Sequence, residues 1–126
     1  MNQPKFFICQ HCGNLVEMVD NHNVPLVCCG QKMTEIIPGT VEASVEKHLP
    51  VVTVRCKKVT VNVGSVEHPM TEAHYIPWVY LQTTKGNYRV NLNPTDKPVA
   101  VFSLNDEKPV AVYAYCNLHG LWKVEL

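Results

Sequence analysis

Four cysteines within the first thirty residues, spaced as Cys9-x2-Cys12 and the adjacent pair Cys28-Cys29, are the first side chains of this chain able to do chemistry. A second set lies far downstream: His48, His68, His74 and the close pair Cys116-x2-His119. The first set is all sulfur, and the second is nitrogen-rich with one sulfur. Soft thiolates favour iron, zinc or copper, while imidazoles suit iron, zinc, copper or nickel. Two segregated ligand sets in so short a chain predict two metal centres.

Cys9 and Cys12 can bite one ion from a single tight turn. Gly13 and Gly30 each follow the second cysteine of a pair, where glycine tolerates positive φ and lets backbone N–H groups point at sulfur. Neighbouring side chains of an extended chain point apart. Cys28 and Cys29 can therefore share an ion only across a sharp turn, which predicts a distorted tetrahedron. Four-sulfur iron or zinc fits this set better than two disulfides, given a compartment that keeps thiols reduced. His11 and His22 read as exposed polar residues, because four thiolates already complete the site.

The nitrogen-rich set points elsewhere. Five protein ligands exceed the four of a structural zinc site. Iron accepts six, which leaves one position for a small molecule and favours catalysis over structure. Glu46 and Lys47 directly precede His48. Alone they read as solvated charges, but beside an open iron the ammonium attracts an anion and the carboxylate can take the sixth position. Cys56 is the cysteine left over; it is expected in the core, since free cysteine is among the most buried residue types. Met33, Met70 and the aromatics Tyr75, Trp78, Tyr113, Tyr115 and Trp122 read as core or site lining.

Strands and turns must position these ligands. Val59, Val61 and Val63 alternate onto one face, and Val51 to Val54 is a β-branched run of the buried type. Further strands are expected at Trp78–Thr83, Tyr88–Leu92, Val99–Leu104, Val110–Tyr115 and Leu121–Glu125, separated by turn chemistry such as Lys85-Gly86-Asn87 and Asn93-Pro94-Thr95-Asp96. Short strands at this spacing predict a sandwich or barrel. Helix is limited to one short turn between Val41 and Lys47. His48, His68, His74, Cys116 and His119 all fall in loops or at strand ends, where a scaffold can gather them.

A chain of 126 residues is normally one domain, but Pro38-Gly39 marks a boundary. It predicts domains of 1–37 and 38–126. The first falls below the ~40 residues at which a domain usually needs a metal, disulfide or partner. Formal net charge is zero and no Lys/Arg run exists, so the footprint of nucleic-acid binding is missing. No apolar run approaches the ~18 residues of a membrane span, and the start lacks the apolar stretch of a secretory signal. A cytoplasmic protein without membrane or nucleic-acid partners is expected.

With these residues in hand, the chain resembles desulfoferrodoxin, the two-iron class of superoxide reductase. The resemblance rests on Cys9-x2-Cys12-Gly13 with Cys28-Cys29, Glu46-Lys47-His48-x-Pro50, His68-Pro69-Met70-x3-His74-Tyr75 and Cys116-Asn117-x-His119-Gly120. It implies an all-β chain, in which a small desulforedoxin-like metal knuckle precedes an immunoglobulin-like β-sandwich. It implies two iron ions: an Fe(Cys)4 centre held by Cys9, Cys12, Cys28 and Cys29, and a catalytic Fe(His)4(Cys) centre. In the latter, His48, His68, His74 and His119 would be equatorial and Cys116 axial. Superoxide would be reduced to hydrogen peroxide, with electrons from an external donor such as rubredoxin. Lys47 would draw in superoxide and orient a water as proton source, and Glu46 would ligate the oxidised iron. A homodimer is the family expectation.

Two other readings account for part of the pattern. A zinc-stapled knuckle fused to a sandwich binding module explains the first cysteines but not Cys116-x2-His119. A pure iron electron carrier uses both centres and needs no substrate.

Overall fold

The alternation of Val59, Val61 and Val63 is the plainest fold signal in the chain, and in the computed structural model all three are at most 1% exposed. The structure describes residues 3–126, so the first two residues of the expected leading domain lie outside the description. The chain separates between Ile37 and Pro38 into two compact units.

The first unit is built on β1 (Phe6–Ile8), which pairs antiparallel with β2 (Leu15–Glu17) on one side. A two-residue hairpin follows, β3 (Val27–Cys28) with β4 (Gln31–Lys32), and β5 (Thr34–Glu35) returns to the other side of β1. These elements are too short to bury much. Phe6 and Cys9 are its deeply buried apolar residues.

The second unit opens with a single helical turn, α1 (Val45–His48), where the sequence led us to expect one from Val41 to Lys47. Seven strands follow: β6 (Pro50–Arg55), β7 (Lys58–Val63), β8 (Trp78–Thr83), β9 (Asn87–Asn91), β10 (Val99–Ser103), β11 (Pro109–Cys116) and β12 (Gly120–Glu125). They form two antiparallel sheets, β10-β7-β6 and β12-β11-β8-β9. Inward residues of the first, Val59, Val61, Val63, Ala100 and Phe102, join Val79, Leu81, Val112 and Ala114 of the second in one core. This is an immunoglobulin-like sandwich, built by alternating inward residues of two facing sheets. The helical turn α1, the strandless stretch 64–77 and the β11–β12 turn carry the ligand candidates of this unit.

Two expectations fail for identifiable reasons. The run Val51 to Val54 was expected to be buried, but β6 pairs only with β7 and is an edge strand, leaving Val51 42% and Val54 49% exposed. Cys56 was expected in the core. Instead Arg55 pairs with Lys58, so Cys56 and Lys57 form a two-residue hairpin turn, with Cys56 exposed at φ 57°. Tight hairpins demand positive φ at that position, and the demand of the turn overrides the tendency of cysteine to be buried.

Candidate metal centres

In the first unit the Sγ atoms of Cys9, Cys12, Cys28 and Cys29 all lie within 4.8 Å of one another. Cys12 Sγ is 3.6 Å from Cys28 Sγ, which is 4.0 Å from Cys29 Sγ. Four sulfurs at ~2.3 Å from a common tetrahedral ion sit roughly 3.8 Å apart, so the spacing suits a shared metal. All six cysteines are free, which sets aside the disulfide reading. The sharp turn required between Cys28 and Cys29 is made by Cys29 at φ 53°, and Gly13 and Gly30 take φ 83° and 72°. Cys12 N–H points at Cys9 Sγ and Asn14 N–H at Cys12 Sγ, both at 3.5 Å. Bonding from the Cys12 N–H is the main reason that the Cys9 thiol falls to about 6, whereas side-chain bonding to Cys12 pushes Cys29 up to about 12. The four sulfurs compete for one another's protons, a conflict that a bound cation removes by deprotonating them outright.

The second unit gathers His48, His68, His74 and Cys116, again with ligand atoms within 4.8 Å. His119 completes the group: its Nδ1 lies 3.2 Å from His48 Nε2 and 3.8 Å from Cys116 Sγ. The rings form a closed circuit. Centroids are 4.7 Å apart for His48–His68, 4.6 Å for His68–His74, 5.0 Å for His74–His119 and 5.0 Å for His48–His119. His48 and His74, at opposite corners, are 6.3 Å apart. Tetrahedrally disposed rings would be equidistant, so a His48–His74 diagonal longer than every edge fits a square better than a tetrahedron. Cys116, fully buried at the end of β11, is the fifth ligand atom.

Proton bookkeeping tests whether a metal fits. His48 Nδ1 lies 2.7 Å from Ser44 O, and His68 Nδ1 2.7 Å from Pro69 O. A carbonyl only accepts, so each Nδ1 carries the hydrogen and each neutral ring has its lone pair at Nε2. Those two Nε2 atoms face one another at 3.2 Å. Two lone pairs cannot hydrogen-bond, and a cation between them resolves the contact. His74 Nε2 is likewise buried without a hydrogen-bond partner among the described residues, and a buried unpaired polar atom calls for an ion or another explanation. The donor set therefore fits a metal ion.

Burial keeps these rings neutral and ready to ligate: it is the main cause of lowered values at His48, His68 and His74, with His68 falling from near 6.5 to about 4. Burial also pushes the Cys116 thiol up, against N–H bonding from Leu118 and His119. Lys47 and Glu46 are exposed on α1 beside His48. The Lys47 ammonium adds to the lowering at both His48 and His74, so its field reaches opposite corners of the square.

Sequence reasoning missed the supporting roles of Ser44, Pro69 and Asn117, whereas Trp122, expected as core or site lining, does line the site. The carbonyls of Ser44 and Pro69 orient two rings, and no side-chain pattern announces a carbonyl. Asn117 accepts from Tyr75 N at 2.9 Å and donates to Ala73 O at 3.0 Å, tying the His74 loop to the Cys116 turn. Its position between two ligands was the available signal. Trp122 stacks on His48 at 5.0 Å and donates to His119 O at 3.1 Å. His11 and His22 are exposed, and His22 lies 3.4 Å from Asp20.

Comparison with known proteins agrees with this geometry. Residues 40–125 match the family described as Desulfoferrodoxin, and residues 2–36 match Desulfoferrodoxin, N-terminal domain. The chain belongs to the desulfoferrodoxin family. It is 44% identical to the desulfoferrodoxin of Nitratidesulfovibrio vulgaris over 98% of both chains. It is 46% identical to that of Syntrophotalea carbinolica, over 93% of this chain and 92% of the relative. Among solved structures, the superoxide reductase from Treponema pallidum superposes with a TM-score of 0.84 at 38% identity, covering 98% of this chain and 100% of the other. The two ligand clusters correspond to the cofactors of this desulfoferrodoxin-family chain: two iron ions, one in a four-cysteine site and one in a site of four histidines and a cysteine.

Proposed function

We propose that the square of four imidazoles, backed by a buried thiol, is where this chain works as a superoxide reductase. That arrangement is the observation on which the reading rests: four nitrogens and one sulfur would leave a six-coordinate iron one position for substrate. The overall reaction combines superoxide, one electron and two protons into hydrogen peroxide. Iron, when bound, supplies the electron. His48, His68, His74 and His119 would hold it through imidazole nitrogens, and the fully buried Cys116 through its sulfur. As a thiolate, Cys116 would donate electron density to a bound iron, as thiolates do in haem sites, and so would favour release of peroxide. Lys47, exposed and felt electrostatically at His48 and His74, draws the superoxide anion to the open face and holds a water as proton source. The exposed Glu46 carboxylate, two residues before His48, would serve as a further ligand once product has left.

Cys9, Cys12, Cys28 and Cys29 hold the other iron and keep residues 1–37 folded, while residues 38–126 form the catalytic domain. A rubredoxin-like protein is the external donor. Cysteines that serve as metal ligands rather than disulfides suit a cytoplasmic setting. A homodimer suits a 37-residue unit that leaves Val19, Val24 and Val27 largely exposed.

The test is consumption of superoxide by the iron-loaded protein with a reductant present. Peroxide without oxygen is expected, whereas oxygen released alongside peroxide would indicate dismutation. Lys47→Ala is expected to slow the reaction and flatten its ionic-strength dependence, because screening acts on a charge that is no longer there. Equal rate and equal salt slope by pulse radiolysis would remove Lys47 from the mechanism.

A further inference from the structure

Gly64 is buried at the end of β7, directly against the backbone of α1. A Cβ placed on it would lie 2.7 Å from Glu46 O, 2.9 Å from Leu49 O and 3.0 Å from Lys47 C. All three obstacles are backbone atoms, so no flexible side-chain end can swing away. Gly64 is not among the glycines at positive φ. Its lack of a side chain is what lets the backbone of residues 46–49 approach this closely. The next two residues complete the contact: Ser65 Oγ donates to Glu46 O at 3.2 Å, and Val66 N donates to the same oxygen at 2.9 Å. Immediately after this turn, His68 N donates to Val63 O at 2.8 Å.

The helix that Gly64 meets cannot hold itself. It has four residues and no side-chain cap, and one helical turn is far below the length at which a helix is stable alone. Its last two residues are Lys47 and His48. We infer that the turn Gly64–Val66 is a positioning platform, which seats residues 46–49 at a fixed height and so sets where Lys47 and His48 enter the nitrogen-rich centre. Because the same turn leads into His68, it fixes two adjacent corners of the square relative to each other. This rests on the reading of Lys47 and His48 given above.

Gly64→Ala in the full-length chain tests the platform. The added methyl must push residues 46–49 outward. Metal affinity of the nitrogen-rich centre, measured by chelator competition with zinc or ferrous iron, should fall about 10–100-fold, the usual cost of disturbing groups that orient ligands. In the metal-free protein, amide exchange at Val66 and Leu49 should accelerate while amides of β8 and β11 stay as protected as in the parent. In the iron-loaded protein, the absorption of the nitrogen-rich centre should shift while that of the sulfur centre does not. Affinity within twofold of the parent together with unchanged exchange would overturn the proposal.

Should Gly64→Ala fail to fold, Ser65→Ala removes only one donor to Glu46 O and should speed exchange at Val66 about threefold, as expected for one exposed hydrogen bond; no change there overturns the proposal equally. Exchange and metal affinity involve no superoxide. If they shift while Lys47→Ala leaves the reaction untouched, the platform stands and the role of Lys47 falls.

Discussion

Replacing Asn117 with alanine should weaken the nitrogen-rich centre without touching any ligand. The side chain makes two bonds across the site, accepting from Tyr75 N at 2.9 Å and donating to Ala73 O at 3.0 Å, and these flank His74 on both sides. Asn117 is exposed, so each bond belongs in the lower part of the usual range, about 0.5–1 kcal/mol. Losing both costs about 1–2 kcal/mol, and if that cost falls on holding His74 in register it becomes about 5–30-fold in metal affinity. The backbone bond from Asn117 N to Tyr75 O at 3.2 Å survives the change and limits the loss. Chelator competition with ferrous iron or zinc reads the affinity, and the sulfur centre serves as an internal control. Asn117→Asp keeps the acceptor for Tyr75 but sets a carboxylate oxygen against Ala73 O, so it should weaken the centre at least as much. Parental affinity in Asn117→Ala would mean that the His74 loop is held by its own Thr71 turn and by packing, and the reasoning fails.

Cys12→Ser should cost the first metal and loosen residues 1–37 while the second centre stays loaded and superoxide is still reduced; metal analysis showing two ions per chain would contradict this. The metal-free protein should lose stability in acid. Burial lowers the folded-state values of His48, His68 and His74, with His68 at about 4. The unfolded chain therefore binds more protons below pH 6.5, and stability falls from there towards pH 4. The slope is at most about 1.4 kcal/mol per pH unit for each ring protonated only when unfolded. Urea midpoints that held steady or rose over that interval would refute the sign. Cys56→Ser at the exposed hairpin tip should leave stability within about 0.5 kcal/mol of the parent, and a larger loss on denaturation would restore the buried reading.

The ligands and the strands were legible for the same reason: both are written in side-chain type and spacing. Val59-x-Val61-x-Val63 states its own face, and Trp78–Thr83 emerged with the expected bounds. What could not be read depends on partners distant in the chain. Val51 is a sound strand residue whether its strand is central or at an edge, and only the pairing of β6 with β7 alone exposes it. Cys56 looked like core until the register Arg55↔Lys58 made it a turn residue. Gly64 carries no local signal, since its glycine is demanded by Glu46 and Leu49, fifteen or more residues earlier. The histidines could be collected from the sequence, but their order around the square, His48–His68–His74–His119, could not.

That square has a consequence for which ion the chain will carry. Imidazoles set at right angles are a geometry that copper(II) and nickel(II) also favour, and divalent affinities rise from iron towards copper. A set of imidazoles that converges on one point in this way has little means of refusing the tighter binder. Iron occupancy is then decided outside the protein, by which metal the cell keeps available when the chain folds. Overproduction in a medium rich in another metal would fill the same square with that metal, and with redox-inert zinc the centre could supply no electron.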